Sequence, residues 1–271
     1  MFAKRIVKGA EPLNTCTVEE VRGVIILLVE GIIIIVGVLL SVGYLTLAER
    51  KVLGSIQCRK GPNIVGLYGL LQPIADGIKL LVKEIIIPQQ TSKGLYIGSA
   101  VLSLTIAIGA WGVIPLGKGV VQGDIAMGVL YILAISSMGV YSIMIGGWAS
   151  NNRYSYIGGI RAVAQMISYE LAIGIIVIVV VISIGSYSLT EIVEGQRIWY
   201  IVGIMPLGVM YYISILAETG RVPFDLTEAE SELVSGYNVE YGGMGFGLLF
   251  IAEYANIIVM GTIGVILFIG G

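Results

Sequence analysis

The chain has no histidine, and its two cysteines, Cys16 and Cys58, lie far apart. Without an imidazole or a cysteine cluster it cannot build a zinc, haem or iron–sulfur ligand set of its own. Nor can it form a Ser/His/Asp or Cys/His nucleophile. Charge is scarce too: Asp, Glu, Lys and Arg make up 13% of 271 residues, where a soluble domain carries about 25%. The 16 Lys+Arg nearly balance the 18 Asp+Glu, which leaves no basic footprint for nucleic acid. Gly61, Gly66 and Gly69, and likewise Gly243, Gly245 and Gly247, match neither GxGxxG nor GxxxxGK, so no nucleotide loop is expected from them. Gly243 and Gly247 read instead as a close-packing pair. A water-soluble enzyme is excluded.

What remains is apolar: 56% of residues, with 38 glycines. Six stretches reach the roughly 20 residues that a bilayer requires: Val24–Leu47, Gly94–Pro115, Asp124–Trp148, Gly159–Tyr187, Ile198–Ala217 and Gly242–Gly270. The expected fold is all-α, a polytopic transmembrane helix bundle, because lipid offers an open sheet edge no hydrogen-bond partner. Residues 1–22 read as a tail. Its Glu11, Glu19 and Glu20 are unlike an acid-poor transit peptide. Residues 23–271 read as one transmembrane domain with inner loops 49–93, 149–158 and 218–241.

Orientation follows Lys and Arg. The loop after the first span carries Arg50, Lys51, Arg59, Lys60, Lys79, Lys83 and Lys93, and the loops after spans three and five add Arg153, Arg161 and Arg221. The opposite loops offer Lys118 and Arg197. The loops after spans one, three and five are therefore expected to face the cytoplasm or the mitochondrial matrix. The basic tail argues the other way and is outweighed. Within the first inner loop, Gly69–Glu84 reads as an interfacial helix: Leu70, Leu71, Ile74, Ile78, Leu81 and Val82 fall near helical spacing, with Gln72, Asp76, Lys79 and Lys83 opposite.

Charges inside the bilayer cost ~2.5–3.5 kcal/mol each and need a reason. Glu170 lies in the fourth span, Glu253 in the sixth, Glu218 at the end of the fifth and Glu30 in the first. Arg161, Gln165 and Tyr169 form a polar stripe at i, i+4, i+8. Carboxyl groups on three helices, all toward the inner side, suit a proton relay; the bland account of any single one is a structural interhelical hydrogen bond. The loop from Glu218 to Glu240 carries the acids Glu218, Asp225, Glu228, Glu230, Glu232 and Glu240 against one arginine, Arg221. Asp225 followed by Glu228 resembles a capping box. The remaining acids must titrate as coupled sites.

Several ordered runs carry a resemblance. Glu49-Arg50-Lys51, Arg59-Lys60-Gly61-Pro62-Asn63, Gly69-Leu70-Leu71-Gln72-Pro73-Ile74-Ala75-Asp76, Gly147-Trp148-Ala149-Ser150-Asn151, Arg161-Ala162-Val163-Ala164-Gln165, Ser168-Tyr169-Glu170, the segment 217–241 and Ala252-Glu253-Tyr254 are similar to the first-subunit family of respiratory complex I, the quinone-chamber membrane subunit of NADH:ubiquinone oxidoreductase. The resemblance covers nearly all of residues 41–260. It implies a wall of the chamber that admits ubiquinone, lined by Glu49, Arg50, Arg59, Asp76, Lys79 and Phe224. It also implies a proton path through Glu170, Glu218, Asp225, Glu228, Glu230, Glu232, Glu240 and Glu253. The chain would be one subunit of an H+-translocating enzyme, with no complete active site alone. Ubiquinone would be the substrate, and FMN and iron–sulfur clusters would belong to partner subunits.

The partners so implied are the iron–sulfur subunit at the quinone site, small membrane subunits and lipid; the location implied is the mitochondrial inner membrane, with the stated loops toward the matrix. Two departures stand out. The family's last two spans are absent, and a separate small hydrophobic chain is expected to supply them, tail loss being the competing account. The N-terminal tail is longer than usual, and Glu30 stands where an apolar residue is common. Alternative readings are the membrane anchor of a related hydrogenase or plastoquinone-reducing complex, or an ion transporter, although no internal repeat links the two halves.

Overall fold

The computed structural model describes residues 18–117, 119–196, 198–225, 234 and 236–271, and their side chains from residue 23 onward. Nine α-helices are present among the described residues. They are α1 (Val18–Ile56), α2 (Gln72–Val82), α3 (Lys93–Gly109), α4 (Gly128–Ala149), α5 (Arg153–Ile184), α6 (Leu189–Gly195), α7 (Tyr200–Gly203), α8 (Met205–Glu218) and α9 (Met244–Phe268). Short 3-10 turns at Leu67–Gly69, Ala110–Gly112 and Gly236–Asn238 link them. The all-α expectation holds: a multi-pass bundle with no strand among the described residues.

Five helices, α1, α3, α4, α5 and α9, are long and apolar enough to cross a membrane. The expected fifth span is built differently. It breaks at Ile204, whose backbone is not helical (φ −123°, ψ 43°), and α8 restarts with Pro206 in its first turn. Proline suits a helix start, where its missing N–H is not needed. At about 1.5 Å per residue, the 14 residues of α8 cover ~21 Å, so α7 and α8 must be taken together to approach bilayer thickness.

Other boundaries differ from the expected ones. The tail gives way to helix at Val18, where α1 begins, and α1 runs on through Glu49, Arg50 and Lys51 to Ile56. Those three residues therefore sit on a rigid helix, not in a loop. The second inner loop shrinks to 150–152, because Asn152 caps α5 by accepting a hydrogen bond from the Tyr154 amide at 3.0 Å. The short helix α6, with Ser188 ahead of it, lies where the apolar pattern predicts only a connection.

The packing is inverted relative to a soluble protein. Ile25, Ile32, Ile175 and Ile182 are exposed, as lipid-facing positions would be. The buried core lies between helices at Ala107, Val180, Ala255 and Leu267. α3, α4 and α5 pack in sequence, α9 closes on α3, α8 on α5, and α1 lies against α9 and α2. The interfacial helix is α2, shorter than expected, with Ile74, Ile78, Leu81 and Val82 all exposed.

Two glycines hold together the end of the bundle that carries the loops after α1 and α8. A Cβ on Gly69, whose φ is +76°, would overlap the Pro62 carbonyl oxygen, so the chain reversal after α1 needs glycine there. A Cβ on Gly158 would stand 2.8 Å from the backbone of Gly236, where α5 meets the end of the acidic loop. The expected glycine pair Gly243/Gly247 does serve close packing, against α2 and its exit: the two would-be Cβ atoms approach the Lys83 carbonyl (3.0 Å) and the Leu80 side chain (3.4 Å).

Candidate functional site

The turn after α8 folds back on itself. The Arg221 amide donates to the Leu216 carbonyl at 2.9 Å and the Phe224 amide to the Arg221 carbonyl at 2.8 Å. This aims the Arg221 side chain between α1 and α9. Its guanidinium meets Glu49 on α1 at 2.9 Å and Glu253 on α9 at 3.3 Å. It also lies 4.4 Å from the centre of the Tyr254 ring, a cation–π arrangement. The Tyr254 hydroxyl donates to the second Glu49 oxygen at 2.6 Å. Burial alone would lower the affinity of Arg221 for its proton. The Tyr254 hydroxyl, Glu253 and Glu49 more than reverse this, and hold the guanidinium above its ordinary value. One cation thus joins three segments that are far apart in sequence.

Beside this cluster is a cavity of about 100 Å³. That is ample for several waters, since one needs roughly 10–15 Å³ by this measure. Its walls are mostly apolar, from α3, α4, α5, α8 and α9. Its polar lining includes Ser136, Gln165, Glu218, Thr219, Glu253 and Asn256. Glu218 is buried, and its Oε2 meets no hydrogen-bond partner among the described residues. A buried, unsatisfied carboxyl oxygen on the wall of such a cavity is placed to exchange a proton with whatever enters. Glu170 does not itself line the cavity; the Ser136 hydroxyl, on the wall, reaches Glu170 Oε1 at 3.5 Å.

The other expected residues separate into two groups. Arg50 pairs with Asp76 at 2.7 Å, and Gln72 donates to the other Asp76 oxygen at 2.9 Å, so α1 and α2 are tied together. Lys51 donates to the Tyr68 carbonyl. Arg59 is exposed and donates to Gln57 at 2.7 Å, and Lys79 is exposed on α2. Glu49 departs from this group: it belongs with Arg221 and the α9 carboxylate. Glu30 is exposed on the N-terminal half of α1.

The acidic loop is fastened at both ends. At its start, the Gln165 side chain donates to the Ala217 carbonyl (2.6 Å) and the Phe224 carbonyl (2.9 Å), while the Phe224 ring lies 5.7 Å from that of Tyr169. Two members of the expected polar stripe therefore serve this loop; Arg161 is on the exposed side of α5. Asp225 is half-buried beyond Phe224. At its far end, Tyr241 stacks on Tyr96 at 4.2 Å and shares a hydrogen bond with Ser99 at 2.9 Å. Burial raises the Tyr241 hydroxyl above the usual tyrosine value. The Tyr96 hydroxyl donates to the Glu240 carbonyl at 2.6 Å, and Asn152 donates to the Glu240 side chain at 2.6 Å. Glu228, Glu230 and Glu232, and the capping box that includes Glu228, lie outside the described residues.

Sequence reasoning did not assign Arg221, Tyr254 or Ser136. Arg221 carried a signal, as the single cation in an acidic loop. Ser136 carried none, because a serine in an apolar span is commonplace. Among the described residues no group of His, Cys, Asp and Glu could hold a metal ion.

Fold and site define a multi-pass membrane protein with an ion-paired carboxylate cluster beside a partly polar cavity. The family described as NADH dehydrogenase matches residues 29–271, and the chain belongs to that family. NADH-ubiquinone oxidoreductase chain 1 of Metridium senile is 57% identical over 242 residues, which is 89% of this chain and 72% of that protein. Chain 1 of Chondrus crispus is 56% identical over 246 residues, 90% of this chain and 76% of that protein. A NADH-quinone oxidoreductase subunit from Rhodospirillum rubrum is 53% identical over 249 residues, 91% of this chain and 74% of that protein.

Proposed function

We propose that this chain is a membrane subunit of a proton-translocating NADH:ubiquinone oxidoreductase of the mitochondrial inner membrane. It forms part of the ubiquinone chamber and carries the carboxylates that couple quinone reduction to proton movement. Ubiquinone is the substrate, FMN and iron–sulfur clusters sit in partner subunits, and the loops after spans one, three and five face the matrix. The relatives named above support the enzyme class. The coupling role rests on one observation: Glu218 and Glu253 share a cavity beside the ion pairs of Arg221.

In this reading Arg50, Arg59, Asp76, Lys79 and Phe224 border the quinone path, and Glu49 joins that path to Arg221. A quinone that gains two electrons must take up two protons. The resulting local change of charge redistributes protons among Asp225, Glu228, Glu230 and Glu232 of the loop, while Glu240, held by Asn152, anchors its far end. Glu218 and Glu253 take up the change in the cavity, and Glu170 passes it on toward neighbouring membrane subunits. The test is NADH:quinone turnover and proton pumping in the assembled enzyme carrying Glu228→Gln or Glu170→Gln. Loss of coupled turnover is expected, and full turnover with full pumping in either variant would sink the assigned role.

A further inference from the structure

The cavity that holds Glu218 and Glu253 borders a smaller one. This second cavity, of about 20 Å³, is lined by Val129, Ile173, Val177, Leu189, Ile263 and Leu267 among others. Ser136, Ile132 and Met260 line both spaces. Besides Ser136, the polar group of the second space is the Tyr211 hydroxyl, which donates to the Met260 carbonyl at 3.3 Å. A space that small, with aliphatic walls, supplies too few partners to hold a chain of waters. Among the described residues, a proton in the larger cavity therefore has no polar continuation through this second space.

It has one sideways. Ser136 lies on α4, and its hydroxyl donates within its own helix to the Leu133 carbonyl at 2.9 Å and reaches Glu170 on α5 at 3.5 Å. Glu170 is half-buried and does not line either space. A serine hydroxyl has one proton to give and lone pairs to accept another, and it turns freely about its C–O bond.

We infer that Ser136 is the relay that hands protons from the cavity to Glu170, and that the path bends sideways there. This rests on the coupling role proposed for the carboxylates. A proton released by Glu218 reaches the Ser136 oxygen through water in the cavity and forms a new O–H bond there. The proton that Ser136 already held passes to Glu170 Oε1 as its own O–H bond breaks. The donor is left a carboxylate, Glu170 becomes a carboxylic acid, and the hydroxyl resets by swinging back to the Leu133 carbonyl.

The experiment uses the assembled enzyme with Ser136→Ala and, separately, Ser136→Thr. Assembly and thermal stability are expected to stay unchanged in both. Coupled NADH:quinone turnover should fall about tenfold in the alanine variant and fall further as pH rises, when protons become scarcer; threonine, which keeps the hydroxyl, should restore it. Unchanged turnover in the alanine variant, or a threonine variant no better than alanine, overturns the inference. Glu170→Gln, measured in parallel, separates the two levels: if it too keeps full pumping, the coupling role has failed. If it loses pumping while Ser136→Ala does not, only the handover through Ser136 has failed.

Discussion

Arg221 and Glu49 meet at 2.9 Å across 172 positions of sequence. The contact fastens the loop after α8 to α1, and the same guanidinium extends to Glu253 and the Tyr254 ring. Arginine suits this position because a planar fork can serve two carboxylates while its face lies against an aromatic ring. Lysine offers a point charge alone. Arg221→Lys is therefore expected to keep assembly and part of the turnover. Arg221→Gln, which leaves Glu49 and Glu253 facing each other without a cation, should lose about tenfold or more in NADH:quinone turnover. Steady-state kinetics on the two purified variants decide it; equal activity would mean that the fork geometry and the charge contribute nothing separable.

Arg59 presents the opposite case. Its side chain is exposed and bonded to Gln57, two residues back. Nothing in the helix packing depends on it. Arg59→Ala should raise the KM for quinone several-fold and leave kcat and assembly near normal, because the loss is of binding and not of structure. Titration with a short-tail quinone tests this, and a fall in kcat at unchanged KM would place Arg59 elsewhere.

Glu218 and Glu240 bound the same loop and should not behave alike. Glu218 is buried on the cavity wall with an unpartnered oxygen. Glu240 does not line the cavity and accepts from Asn152 at 2.6 Å. Glutamine at 240 can still offer its amide oxygen to Asn152, so Glu240→Gln should retain most pumping. Glu218→Gln, which removes a proton-exchanging group from the cavity, should lose most of it. Proton-to-electron ratios in reconstituted vesicles give the comparison, and equal losses would assign Glu240 a larger part than its anchoring contacts imply.

The lipid-spanning architecture was legible because apolar runs of bilayer length leave few alternatives. The break at Ile204 was not: an apolar stretch reads the same whether it holds one helix or two, and only Pro206 hinted at a restart. The carboxylates Glu170, Glu218 and Glu253 were legible because charge in a span is costly and therefore conspicuous. Arg221 and Tyr254 were harder, since their roles depend on which distant segments the fold brings together. Glu49 shows the same limit from the other side. Its neighbours in sequence, Arg50 and Lys51, tie α1 to α2 and to the turn at Tyr68. Glu49 itself, about 100° around the helix from Arg50 and about 200° from Lys51, faces α9 and Arg221.

The far anchor of the loop offers a test of structure apart from chemistry. Tyr241 stacks on Tyr96 and bonds both Ser99 and the Tyr96 carbonyl. Tyr241→Phe keeps the ring and deletes the hydroxyl, so it should cost about 1 kcal/mol, while Tyr241→Leu also loses the stacking and should cost more. Because burial raises the Tyr241 hydroxyl above 10.0, the stability that depends on its staying protonated is full below that value and is lost as pH climbs through the raised one. The wild-type enzyme should therefore lose thermal stability at strongly alkaline pH more steeply than Tyr241→Phe, which has no proton to lose there. Melting curves of both from neutral to alkaline pH measure the difference. Parallel curves would show that the stacked ring, and not the hydroxyl, holds the loop end against α3.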